Sequence, residues 1–127
     1  MKVYLARFVK NKKVAYKIGH TKWFNSIKRF ESDQYDMFDD VAILADILVA
    51  DDNPKVAREK AELVESCIQG IFPKNFRLEE HFQMPGDTFT GLSGITEMFI
   101  LPQDGDEEDI VTVFESIKKR VEKVQKK

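Results

Sequence analysis

The sequence predicts an α/β (α+β) domain with a small mixed sheet and flanking helices, and three observations predict it. Residues 2–9 and 14–19 are strand-like runs joined by the short polar stretch Asn11-Lys12-Lys13, which suits a hairpin. Residues 41–49 form an apolar run of strand length. Two later segments, 54–72 and 107–125, carry apolar residues at helical spacing. With 127 residues and 43% hydrophobic content, the chain is large enough for one domain with a real core.

Along the chain, Gly19 closes the second strand and predicts a turn or a close backbone approach there. Trp23, Phe24, Ile27 and Phe30 recur three or four apart and predict a short helix over 23–31. Residues 41–49 are apolar on both faces apart from Asp46, the pattern of a central, covered strand. Asp51-Asp52-Asn53-Pro54 is a helix start, with an Asx cap and proline in the first turn. That helix should run to about Phe72, stopped by Pro73. Its stripe of Ala57, Ala61, Val64, Ile68, Ile71 and Phe72 spans about 100°, with Glu65 at its border. Residues 75–80 and 96–101 read as further strands around turn-rich stretches at 84–87 and 91–94. The terminal helix, 107–125, lines up Ile110, Phe114, Ile117, Val121 and Val124, with its acids first and its bases last, as the helix dipole favours. Its apolar face can pack on the sheet or on a second copy, so the oligomeric state is left open.

Composition narrows the setting. One cysteine, Cys67, cannot form an internal disulfide, and with two histidines it gives no zinc spacing. No run approaches the roughly 20 apolar residues of a membrane helix. The strand that starts at Lys2 predicts no signal peptide, and the single cysteine predicts a reducing, cytoplasmic setting. A net charge of −2 argues against a protein that coats nucleic acid non-specifically. The distribution is uneven, however: the first thirty residues hold nine Lys or Arg and no acid, against twenty-two acids and eleven bases in the rest. That block predicts a local contact with a polyanion, with Lys10, Lys12, Lys13, Lys22 and Lys28 as the phosphate-binding candidates.

Five positions suggest chemistry. Val3-Tyr4-Leu5, then Lys17-Ile18-Gly19-His20-Thr21, then Ile27-Lys28-Arg29, then Glu65 in Leu63-Val64-Glu65-Ser66-Cys67-Ile68, together resemble the GIY-YIG nuclease superfamily. The later Gly94-Ile95-Thr96-Glu97-Met98-Phe99 resembles a strand of its phage-encoded members. The resemblance covers about residues 2–101 and leaves the terminal helix outside. It departs from the family pattern in four ways, one being that the family's additional helix-borne histidine or tyrosine after the arginine has no clear partner here. The first half-motif lacks Gly-Ile before Tyr4, Lys17 stands where the name-giving tyrosine would be, and Arg29 lies ten residues past Gly19, a little further than usual. Lysine at that place, and histidine after the glycine, are also found in the phage branch and in some restriction enzymes of the superfamily.

The resemblance implies a metal-dependent DNA endonuclease, phage-encoded and acting in the host cytoplasm. It implies that Tyr4, helped by Lys17 and His20, activates the attacking water. Arg29 would stabilise the transition state, and Glu65 would hold one Mg²⁺ or Mn²⁺. Taken singly, the same residues have ordinary readings: Tyr4 a packing residue in a strand, Lys17 and Arg29 solvated charges, His20 a turn residue, Glu65 one half of an ion pair, Cys67 a small apolar residue. Two further classes therefore stand beside the nuclease. One is a catalytically inactive module of the same fold that binds nucleic acid. The other binds a protein partner through acidic surfaces, among them the Asp33, Asp36, Asp39 and Asp40 cluster.

Overall fold

The structure, a computed structural model, describes residues 1–22, 37–71, 81–84, 98–101 and 105–125. Strand β1 (Lys2–Lys10) and strand β2 (Lys13–Thr21) form a hairpin. Strand β3 (Asp40–Leu48) follows, then helix α1 (Pro54–Gln69), the short strand β4 (Met98–Phe99) and helix α2 (Glu107–Gln125). The sheet order is β3-β1-β2-β4, and all three pairings among the described strands are antiparallel. The α+β class is the one expected from the sequence. The short helix expected over 23–31 and the strand expected over 75–80 lie outside the described residues.

The hairpin turn is Asn11-Lys12, both with positive φ (52° and 64°), the backbone that a two-residue turn matched to sheet twist requires. Asparagine adopts that conformation readily, whereas lysine does so at a cost of about 1 kcal/mol or more. Tertiary contacts hold the turn in place. The Asn11 backbone N–H donates to Asp39 at 3.0 Å, and its side-chain amide donates to the Phe82 carbonyl at 2.7 Å.

Strand β3 departs from one expectation among the described strands. It stands at one end of their order, and β1 and β2 lie between it and β4. Apolar content on both faces of β3 reflects cover from above and below, which an edge strand can also have. A bulge shapes it: Leu5 pairs with Ala45 while Ala6 pairs with Ile43, leaving Leu44 as the extra residue. Leu44 and Ala45 consequently face the same way, whereas Val41 and Ile43 face the other.

Each face of the sheet has its own apolar cluster. One holds Tyr4, Ala6, Phe8, Ala15, Phe82 and Met98. Phe38 joins it, its ring 5.0 Å from Phe8 and 5.7 Å from Phe82. The other holds Val3, Leu5, Ile18 and Ile47 with Ala61 and Ile68 of α1 and Ile110 and Phe114 of α2, so both helices pack on that side.

Helix α1 begins as its sequence signals. Asn53 accepts from the Lys55 N–H at 3.0 Å, Asp51 accepts from the Asn53 N–H at 2.9 Å, and Pro54 opens the helix. It stops at Gln69, short of the expected Phe72, and Gly70 follows. Ile71, expected on the stripe, is exposed, and Phe72 lies outside the described residues. Glu65, expected at the stripe's border, is buried with Ala57, Ala61 and Ile68. Cys67 is exposed. No helix among the described residues is long and apolar enough to cross a membrane.

Candidate functional site

Tyr4 and Gly19 are partners across the β1–β2 ladder. The tyrosine ring lies over the glycine: a Cβ at position 19 would stand 2.3 Å from the hydroxyl oxygen and 2.6 Å from Cζ. Of the two expectations for Gly19, close approach is what is found, inside a regular strand. Lys17, two residues back on the same face, places Nζ 5.8 Å from the centre of the Tyr4 ring, within cation–π range. Tyr4 is fully buried and Lys17 is 4% exposed, so neither opens to solvent here.

His20 follows Gly19, and strand alternation turns it to the helix-covered face. There its Nδ1 meets Oε2 of Glu65, a residue 45 positions away along the chain. The other carboxylate oxygen, Oε1, accepts from Gln69 Nε2 at 2.9 Å. Gln69 Nε2 also donates to the Ile18 carbonyl at 3.0 Å. Glu65 is 8% exposed, and these bonds offset the cost of removing an ionised carboxylate from water. His20 is half-buried, with 28% of its side chain exposed, so the pair reaches solvent through the imidazole.

The described candidates thus form two pairs on opposite faces of the sheet, back to back across Lys17-Ile18-Gly19-His20. One shared pocket containing both the Tyr4 hydroxyl and the Glu65 carboxylate is not what the structure builds. Arg29 and Lys28 lie outside the described residues.

The basic block also looks different once folded. Lys2 pairs with Asp46 at 3.3 Å, Lys10 with Asp39 at 3.4 Å, and Arg7 with Glu107 at 3.2 Å and Asp40 at 3.7 Å. Acids from β3, its approach and α2 therefore offset much of the positive charge that is continuous in sequence. Asp39 and Asp40, two members of the acidic cluster considered for a protein partner, are engaged in this way. Lys12, Lys13 and Lys22 are exposed. Glu107 also accepts from the Tyr16 hydroxyl at 3.2 Å. Burial pushes that hydroxyl up to about 12, and the charge and hydrogen bond of Glu107 add to the shift.

No three or more His, Cys, Asp or Glu residues among those described are grouped to share an ion. Glu65 is the carboxylate at the His20 contact: each carboxylate oxygen has two lone pairs, so Oε2 bonded to His20 and Oε1 bonded to Gln69 each keep one that a hydrated cation would use. A cavity of about 730 Å³ lies elsewhere, lined by Val49, Asp51, Lys60, Leu63, Arg120 and Val124 among others, and no candidate site residue lines it.

Compared with family models, curated proteins and solved structures, the chain matches none. Gln69 was not foreseen from the sequence. Its signal was present in the spacing, since Glu65 and Gln69 stand one helical turn apart and such pairs touch.

Proposed function

We propose that this protein is a metal-dependent endonuclease that hydrolyses phosphodiester bonds in DNA, with Glu65 and His20 at its centre. The observation that carries it is the seating of a buried carboxylate against a partly exposed imidazole, immediately after the Gly19 that the Tyr4 ring covers. The resemblance to GIY-YIG nucleases had singled out these residues from sequence order alone. Glu65 would hold Mg²⁺ or Mn²⁺. A bound ion of this kind supplies Lewis-acid stabilisation of charge growing on the phosphate. With Nδ1–H donating to Glu65, the neutral His20 ring carries its lone pair on Nε2, the atom that would take a proton from water. Tyr4 and Lys17, being buried, act in this arrangement by shaping the strand beneath His20 and not by touching substrate. Lys12, Lys13 and Lys22 would meet flanking phosphates, making affinity salt-dependent.

A second reading is a catalytically inactive module that binds nucleic acid or a protein partner. Burial of Tyr4 and the acid partners of Lys2, Arg7 and Lys10 favour it.

Nicking of supercoiled plasmid separates the two. The wild-type chain should nick with Mg²⁺ or Mn²⁺, and Glu65→Ala should abolish nicking while the fold survives. A wild-type chain inactive with both ions on duplex and single-stranded DNA removes the nuclease reading. Retained DNA binding at ~50 mM salt would then leave the nucleic-acid module, and its absence the protein-binding one.

A further inference from the structure

Resting on the functional reading above, we propose that Gln69 is the positioning residue of this site, fixing the Glu65 carboxylate against the backbone of β2. Its Nε2 lies 2.9 Å from Glu65 Oε1 and 3.0 Å from the Ile18 carbonyl oxygen. Both partners are acceptors, so the amide must present its NH₂ to them, and the two protons serve one acceptor each.

Strand β2 supplies the reference point. The hairpin closes at Lys10 and Lys13, and hydrogen-bonded and non-hydrogen-bonded pairs alternate from there. Counting along the ladder puts Ile18 at a non-hydrogen-bonded position toward β1, so its carbonyl points to the β4 side. Among the described residues, strand β4 pairs with Tyr16 and Lys17. The next carbonyl along β2, that of Ile18, accepts from the amide of Gln69. His20 stands two residues further along the same strand. One rigid stretch of backbone therefore sets both the imidazole and, through Gln69, the carboxylate.

The choice of an amide has a chemical consequence. A lysine or arginine at position 69 would neutralise Glu65 and compete with a cation. A second carboxylate would repel it. Glutamine donates without changing the charge. It engages Oε1 as His20 engages Oε2, and leaves the carboxylate its full charge for a cation. Outer partners of this kind are worth about 10–100-fold in metal affinity or activity.

The test uses the full chain and Mn²⁺ alone, with binding followed by electron paramagnetic resonance. Glu65→Ala serves as the null for the site. Gln69→Ala removes the donor, and Gln69→Leu removes it while keeping side-chain bulk. Both Gln69 variants should bind Mn²⁺ about 10–100-fold more weakly than wild type. The leucine variant should keep a thermal midpoint near wild type. In the metal-free chain, the ring-nitrogen resonances of His20 should move in both variants, because the carboxylate that faces the ring is no longer held. Wild-type affinity in either variant overturns the proposal. If the wild-type chain binds no Mn²⁺, the cation reading of Glu65 fails separately. The His20 resonances then decide the role of Gln69: displaced resonances sustain it and unmoved ones overturn it.

Discussion

Alanine at position 19 would test the contact on which the Lys17-Ile18-Gly19-His20 segment is built. The new methyl would stand 2.3 Å from the Tyr4 hydroxyl oxygen, 2.6 Å from Cζ and 3.2 Å from Cε1. Carbon atoms settle at about 3.5–4 Å, so the overlap with the ring is about 1 Å. Tyr4 is fully buried among Ala6, Phe8 and Phe82, and a rigid ring there cannot swing into solvent. The strands must part or the cluster must repack. Overpacking of this kind costs about 1–3 kcal/mol. Alanine returns about 0.5–1 kcal/mol because it loses less backbone freedom than glycine on folding. Because a rigid group is struck, we place the overpacking cost near the top of its range, which leaves a net loss of about 2 kcal/mol, or a fall of about 8 °C in Tm for a chain of this size. Urea unfolding followed by circular dichroism measures it directly. A second background identifies the cause. Tyr4→Phe removes only the hydroxyl contact and leaves Cζ, so Gly19→Ala should remain costly there. Tyr4→Leu removes the ring, and the cost of Gly19→Ala should then largely vanish. An equal cost in the wild-type and Tyr4→Leu backgrounds, or a wild-type cost under about 0.5 kcal/mol, would refute the assignment of Gly19 to ring packing.

Two other outcomes are expected. Lys12→Gly relieves a left-handed lysine in the hairpin turn and should raise stability by about 1 kcal/mol; a loss in urea unfolding would mean that the turn is not held as described. Tyr16 titrates at about 12 when folded against an ordinary 10.0, so it binds its proton more tightly in the folded chain. That stability is complete below pH 10 and is lost as pH rises from about 10 to about 12. Tyrosinate absorbance should show a late-titrating component that Glu107→Gln brings earlier; an unchanged titration would separate Tyr16 from α2.

Much of the fold was legible because it is written locally. Asn53 and Pro54 mark the start of α1 through groups within a few residues, and the apolar spacing of Ile110 and Phe114 announces α2. The hairpin follows from two strands joined by a short polar link. What was not legible depends on partners distant in sequence. An apolar run such as residues 41–49 does not reveal whether neighbouring strands flank it on both sides or on one. The positive block looked continuous because Asp46, Asp39 and Glu107 enter only through folding. The same holds for the site. Glu65 was recognisable as a carboxylate near an apolar stripe, and His20 as a residue after a strand glycine. Their meeting was not visible, nor was the separation of Tyr4 and Lys17 onto the other face, because a strand's sidedness matters only once a helix covers one side.

The extra residue in β3 has a consequence for how this gene can change length. Removing Leu44 would leave Ile43 opposite Ala6 and Ala45 opposite Leu5, with no other side chain exchanging sides. Removing Ala45 is equivalent, since Leu44 faces the same way and would then stand opposite Leu5. A deletion elsewhere between Val41 and Ile47 would carry part of the strand onto the wrong surface unless the bulge migrated to absorb it. The Leu44-Ala45 pair is therefore the place in that strand where a codon can be lost while every remaining residue keeps its surface.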